Sequence, residues 1–353
     1  MRIALINSGL GLLAPAAALH RLRPDADLVL APDPDGMPWG PRTPDDIAAR
    51  ALLCARATLR YQPDVLVMAC NTGSVHALDA MRAEFEPDIP VVGTVPAIKP
   101  AAAVHHNVAI WATVATTESA YQRRLIAEFG GSAEVTPVAC PGLADAIDAG
   151  DLAATAAAVA AGAARTPPGC EAVVLGCTEY ELAADLISRA VPGAVTFASA
   201  GAVAAQALRR AASASPGELA PAPVDGMAHG GAAPDGMARG GTAPDGMARG
   251  GTAPDGMARG GTAPGRTASG GTASGRTASG GTAPDGMARG GTTPGGTAPG
   301  RTADGRLGTV RILLSGRPAA LPAAALRYPE GRLLAPLVVA DDREPLTGSA
   351  ASV

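Results

Sequence analysis

The 353-residue chain is short of the features that mark several large classes of protein. It has no excess of positive charge: 28 Lys and Arg stand against 32 Asp and Glu, a net of −4, and Lys99 is the only lysine. That balance leaves no electrostatic footprint for nucleic acid. No window offers the ~18 apolar residues that would read as a membrane span. The opening MRIALINSGLG lacks the long apolar stretch and cleavage site of a signal peptide. Five cysteines, at 54, 70, 140, 170 and 177, are an odd number without C-x-x-C spacing, and the five histidines show no ligand spacing with the acids. These absences predict a cytoplasmic protein with reduced thiols, no metal, no nucleic-acid partner and no membrane anchor.

Another scarcity is local. Between residues 216 and about 305 large apolar side chains nearly vanish, and the unit PDGMARGGTA recurs every ten residues, as at 234–243 and 244–253. Such a segment buries too little surface to offset its ordering entropy and reads as disordered. Glycine does not recur at every third position, which excludes collagen, and no hydrophobic stripe supports a decapeptide solenoid. The chain returns to strand-like TVRILL at 309–314, then to a short helix at 319–326 and an apolar 334–340. The repeats therefore read as an insert into a domain, and 341–353 as a flexible tail. Long loops cost only about 0.6 kcal/mol of closure entropy per doubling.

What is present alternates. Short apolar runs at 2–7, 28–31, 64–69, 91–93, 108–112, 134–138, 172–176 and 195–198 read as strands. Helical patterns fall between them at 12–22, 43–60, 74–85, 118–129, 145–149, 152–164 and 180–189, and close the run at 202–212. Thr43-Pro44 supplies an N-cap with proline at the first helical position. This alternation predicts an α/β fold of two similar parallel-sheet domains. The first takes residues 1–95, 197–215 and 306–340; the second takes 96–196.

Two cysteines open matching motifs. Cys70-Asn71-Thr72 follows the apolar run 65–69, and Cys177-Thr178-Glu179 follows 172–176. Each thiol is thus expected where a buried strand ends and a helix starts, the edge at which parallel sheets bind ligands. A helix N-terminus is expected to lower such a thiol's pKa. Two such thiols suit inversion of an α-carbon: one takes a proton from one face while the other returns a proton to the opposite face. Ser, Asn and Thr beside them bind carboxylates without adding positive charge.

Six motifs in register resemble the glutamate racemases of the aspartate/glutamate racemase superfamily. They are Ser8-Gly9-Leu10-Gly11, Met37-Pro38-Trp39-Gly40, Ala69-Cys70-Asn71-Thr72-Gly73-Ser74, Val92 to Ala101, Ala112-Thr113 with Thr116 and Ser119-Ala120-Tyr121, and Leu175-Gly176-Cys177-Thr178-Glu179-Tyr180. The resemblance covers residue 2 to about 212 and 309 to about 340. It implies two α/β domains meeting at a pseudo-twofold cleft, no cofactor, a small amino-acid substrate, and a supply of D-glutamate for peptidoglycan; a homodimer is left open. It also implies that Cys70 and Cys177 carry the protons. Asn7, Ser8, Trp39, Gly40, Asn71, Thr72, Thr178 and Glu179 match substrate-binding positions, with Thr113 and Thr116 as further candidates.

Three positions depart from the pattern. Asn7 stands in place of an aspartate, Glu179 in place of a histidine, and Trp39 in place of a tyrosine. Cys-Thr-Glu also occurs on the aspartate-racemase side of the superfamily, so the substrate stays open between glutamate, aspartate and another amino acid. A catalytically silent paralogue with a binding role is the alternative from a different class. A dinucleotide enzyme is a weaker rival: Gly9-x-Gly11-x-x-Ala14 follows a strand, and Asp33 ends the next one. Cys54, Cys140 and Cys170 read as small core residues, Asp148 as a structural, capping or catalytic acid, and His76, His105 and His106 as solvated or packed.

Overall fold

The strands at 2–7, 27–32, 65–68, 107–112 and 172–175 are buried on both faces, which is why they read as unbroken apolar runs and not as alternating ones. A computed structural model describes residues 1–214 and 305–340; the tail at 341–353 and all but the last residue of the repeat block lie outside the described residues. Four strands, β1 (Arg2–Asn7), β2 (Asp27–Pro32), β3 (Val65–Met68) and β4 (Val91–Gly93), run parallel in the spatial order β2-β1-β3-β4. Four more, β5 (Asn107–Ala112), β6 (Glu134–Ala139), β7 (Ala172–Leu175) and β8 (Val195–Phe197), repeat that order as β6-β5-β7-β8 in a second parallel sheet.

In each sheet the first strand has its successor on one side and the third strand on the other. The crevice beyond the carboxyl ends of those two strands is therefore a topological switch point, where ligands bind. Register places Ile6 beside Met68 in the first sheet and Trp111 beside Leu175 in the second. The residues that follow, Asn7 and Cys70 in one sheet and Thr113 and Cys177 in the other, thus emerge at the two switch points.

Side chains alternate across the first sheet as the pleat requires. Ala4, Ile6, Leu66 and Met68 pack with Cys54 under the helix Pro44–Thr58. Ile3, Leu5, Val65 and Val67 face the opposite way, into a cluster that also holds Trp111, Val173 and Leu175 of the second sheet. One hydrophobic core therefore runs from one sheet to the other. The helix Ala200–Ala214 returns the chain to the first sheet, packing on β3, β4 and the helix Leu13–Leu22.

Several local expectations change. The first sheet is not wholly parallel. Two later strands, β9 (Val310–Leu314) and β10 (Arg317–Ala319), extend it; β9 lies parallel to β2, and β10, which the sequence reading did not include, runs antiparallel to β9. Ser315 and Gly316 have φ of 45° and 81°, the two positive values of a tight hairpin turn. The short helix expected at 319–326 is a 3-10 helix, Ala323–Arg327. The helix expected at 74–85 is two helices, Asn71–His76 and Leu78–Phe85, parted at Ala77 with φ −118°. After Cys177 the chain forms a 3-10 turn, Thr178–Ala183, before the helix Ala184–Ala190. Glu181 within that turn is buried and accepts from the Ser199 and Ala200 N–H groups, capping the helix at 200–214.

Asp27 fastens the late strand to the early sheet. Its Oδ1 accepts from both the N–H and the hydroxyl of Thr309, at 2.9 Å each. Burial alone would raise its pKa, but the Thr309 donors, with Arg306 and Arg2 beside it, hold it below the ordinary carboxylate value. A depressed folded-state pKa stabilises the fold above the unfolded value near 4 and loses that effect as pH falls through the folded value. Asp27→Ala should cost about 1–2 kcal/mol, a fall of about 2–4 °C in Tm at neutral pH. Thermal melts against pH should show the gap between variant and wild type closing below about pH 4.

Candidate active site

Two side-chain amides bind the cysteine motifs to each other. Asn71, the residue after Cys70, donates through Nδ2 to the carbonyl of Gly176, the residue before Cys177, at 2.8 Å. Asn7 donates through Nδ2 to the carbonyl of Ala69 and to Thr178 Oγ1, the latter at 3.2 Å. Its Oδ1 accepts from the Ser8 hydroxyl and the Gly9 N–H, both at 3.2 Å. The carbonyl before one cysteine and the hydroxyl after the other are thus joined through a single fully buried amide.

The glycines of the first turn make this approach possible. A Cβ on Gly9 would lie 2.3 Å from Asp148 Oδ1, and one on Gly11 would lie 2.4 Å from Thr178 Oγ1 and 2.6 Å from Glu179 Oε1. Neither separation is tolerable, so the turn must be bare where the second lobe presses on it. Asp148 fills the space left at Gly9 and accepts from the Leu10 N–H at 2.7 Å, capping the 3-10 turn Leu10–Leu12. Asp148, which the sequence leaves open between a structural or capping role and a catalytic one, also lines the cavity described next. Gly9 and Gly11 serve contact between the lobes, and Asp33 is engaged elsewhere, which takes away the dinucleotide reading.

Cys70 and Cys177 line one cavity of about 320 Å³. Of the residues singled out from sequence, Ser8, Trp39, Gly40, Asn71, Thr72, Thr113, Thr116 and Glu179 line it too. Asn7 and Thr178 do not: both are buried, and each is engaged in the hydrogen bonds of the clamp just described. The sequence reading missed Cys140, Pro141 and Gly142, which line the second lobe's side beyond β6. Only the position after a strand end could have pointed to them. His76, His105 and His106 stand outside this cavity.

Among the described residues the cavity wall has no Lys, Arg or His and three carboxyl groups, those of Asp145, Asp148 and Glu179. Asp148 is pushed well up by burial and by the Glu179 carboxylate. Two buried oxygens on lining residues, Asn71 Oδ1 and Glu179 Oε1, have no hydrogen-bond partner. An unpartnered buried acceptor costs about 1–3 kcal/mol. The site therefore suits a ligand that brings N–H donors and positive charge.

The thiols differ from each other and from expectation. Helix termini do not win here. Burial, and then the Glu179 carboxylate, push Cys70 up to about 12, against the opposing donors Gly73 N–H and Ser8. Cys70 Sγ accepts from the Gly73 N–H at 3.4 Å. Cys177 is raised well above its usual value by burial, by the Glu179 charge and by its own hydrogen bond, in which Sγ donates to Glu179 Oε2 at 2.9 Å. Cys70 is thus surrounded by donors and Cys177 faces an acceptor. Among the other thiols, Cys54 and Cys140 are buried and free, each raised to about 12 by burial first of all.

Residues 12–208 match the Asp/Glu/Hydantoin racemase family, more than half of the chain. The chain belongs to that family. As a member of this racemase family it is an isomerase. It is 35% identical over 213 residues to the glutamate racemase of Pseudomonas putida strain F1, covering 59% of this chain and 80% of that one. It is 34% identical to the glutamate racemase of Herpetosiphon aurantiacus, over 59% of this chain and 83% of the relative. The solved structure of Escherichia coli glutamate racemase with L-glutamate and the activator UDP-MurNAc-ala superposes with a TM-score of 0.57 at 29% identity, over 60% of this chain and 82% of that one. Among the described residues of this racemase no helix is long and apolar enough to cross a membrane.

The amide at position 7 gives a counter-intuitive test. Asn7→Asp would install the residue expected from the resemblance, yet an ionised carboxylate cannot donate to Ala69 O or Thr178 Oγ1. It would leave a buried charge against a carbonyl oxygen, at a cost of about 2–4 kcal/mol. Calorimetric melting at neutral pH should show Asn7→Asp several degrees below wild type; an unchanged or higher Tm would remove the clamp from the account.

Proposed function

We propose that this racemase interconverts L- and D-glutamate by proton transfer between Cys70 and Cys177, without a cofactor, and so supplies D-glutamate for peptidoglycan. The observation that supports this reading is a single cavity lined by both thiols, each delivered by the third strand of its own sheet. The relatives named above are glutamate racemases, and the Escherichia coli structure holds L-glutamate.

In the proposed mechanism the substrate ammonium faces the unpartnered oxygens of Asn71 and Glu179, and its carboxylates take the hydroxyls of Ser8, Thr72, Thr113 and Thr116 and the backbone at Trp39 and Gly40. In one direction the Cys70 thiolate removes the α-proton, breaking Cα–H and leaving its electron pair on the α-carbon. The Cys177 S–H then donates its proton to the opposite face, forming the new Cα–H bond. After the product leaves, solvent returns a proton to the Cys177 sulfur and takes one from Cys70, which restores the starting pair. In the other direction Glu179 takes the Cys177 proton and the thiols exchange roles.

The raised thiol pKa values give substrate binding a second task. At about 12, on the order of one Cys70 in 100,000 is thiolate at neutral pH. An ammonium group brought beside the thiols favours the anion and offsets the Glu179 charge. The alkaline rise in kcat/KM, which reports the free enzyme, should therefore lie above the ordinary thiol value near 8.5, and the rise in kcat at lower pH. A kcat/KM limb at or below about 8.5 would contradict this order.

The function itself is tested by incubating L-glutamate with purified protein in heavy water without additives. D-glutamate carrying α-deuterium is expected, with L-aspartate turned over at least tenfold more slowly. Aspartate as the faster substrate would move the assignment to the aspartate-racemase side, and no exchange with either would favour the binding-protein reading.

A further inference from the structure

We infer that Asp33 is a positioning residue for Cys70, acting through Trp39, and that the chain beyond the repeats completes its setting with Ser315. The inference rests on the proposed role of Cys70. Asp33 follows β2 and is fully buried. Its N–H donates to the carbonyls of Asn7 and Ser8, at 3.0 and 3.2 Å, which fixes it beside the first switch point. Its carboxylate gathers donors from three directions. Trp39 Nε1–H donates to Oδ2 at 3.0 Å, the Ser315 hydroxyl to Oδ1 at 2.8 Å, and an Arg50 guanidinium N–H to both oxygens, at 3.2 and 3.4 Å. Gly36 leaves the room this needs, since a Cβ there would lie 2.0 Å from Asp33 Oδ2 and 2.4 Å from the Arg50 guanidinium carbon.

The consequence lies on the far side of the indole. Trp39 is 1% exposed, and a Cβ added at Gly73 would lie 3.0 Å from its Cζ3 and 2.3 Å from Met68 Sδ. The indole and the methionine sulfur thus form the floor under Gly73. Gly73 in turn directs its N–H to Cys70 Sγ. A continuous chain of contacts therefore runs from Asp33 through the indole to the donor that faces the thiol. A buried carboxylate with three separate donors holds a side chain far more tightly than packing alone, because releasing any of them strands a buried charge. Ser315 reaches it from the hairpin between β9 and β10, and the same hydroxyl accepts from the Asp35 N–H at 3.1 Å. The late hairpin thereby reaches the reaction centre without lining the cavity.

The test uses the full chain with Asp33→Asn and Ser315→Ala, neither of which lines the cavity. Iodoacetamide alkylation of Cys70, followed by peptide mapping at about pH 9, is read beside kcat and KM for glutamate and beside the melting curve. A carboxamide cannot accept from all three donors, so the indole and the Gly73 N–H drift from the sulfur. Asp33→Asn should slow Cys70 alkylation and kcat three- to tenfold, with KM within threefold of wild type and Cys177 alkylation unchanged. Ser315→Ala should shift the same two quantities in the same direction by about twofold. A purely structural role predicts the opposite sign: a loosened fold exposes Cys70 and speeds its alkylation. Faster or unchanged Cys70 alkylation in both variants overturns the inference, and Ser315→Ala decides alone if Asp33→Asn does not fold. Wild type that fails to racemise glutamate would defeat the functional reading while the alkylation comparison still decides this one.

Discussion

Three hydrogen bonds from two buried amides, Asn7 and Asn71, hold the ends of β3 and β7 against each other. The cysteine motifs face one cavity because each stands one residue from a group these amides engage. An amide suits this place because it donates twice and accepts, and carries no charge that would need a partner in a dry interior. A carboxylate in the same position could serve a thiol, but it could not join two acceptors. The asparagine at residue 7, where the resemblance expects an aspartate, thus suits the joining of the two cysteine motifs.

With the clamp neutral, the charge near the thiols comes from Glu179, Asp148 and the ligand. Burial and Glu179 hold both sulfurs toward their protonated forms. In the proposed mechanism the substrate's own ammonium group favours the thiolate. The two thiols are not equivalent: Cys70 sits among N–H and O–H donors, and Cys177 is bonded to a carboxylate. Of the two, Cys70 is the one whose neighbours would support an anion, and Cys177 the one whose neighbour holds the proton in place.

Much of this was legible in the residues. The strand runs at 2–7, 64–69, 108–112 and 172–176 were found because strands buried on both faces are unbroken apolar stretches. The cysteines followed because Cys-Asn-Thr and Cys-Thr-Glu succeed such strands directly. The strand at 309–314 was found, but its hairpin partner was missed, because Ser315-Gly316 is a turn signal only once both flanks are known to be strands. The hydrogen bond between Asn7 and Thr178 was not legible, because sequence order cannot tell which side of a strand end faces a cavity and which faces a neighbouring strand end. The thiol pKa direction was misjudged for a related reason: a helix terminus is local and visible, whereas burial and the nearness of Glu179 to Cys70 are products of the fold. Asp33 stood out in the sequence for a chemistry the protein does not use, since its partners at 39, 50 and 315 come together only in three dimensions.

The central claim is that the two sulfurs serve opposite faces of one α-carbon. It is tested most directly by following α-hydrogen exchange of each glutamate enantiomer separately in heavy water with Cys70→Ser and Cys177→Ser. Both variants should lose racemisation, and any residual exchange should be one-sided and complementary, one variant labelling only the L form and the other only the D form. Inversion persisting in either variant, or both variants labelling the same enantiomer, would contradict the account.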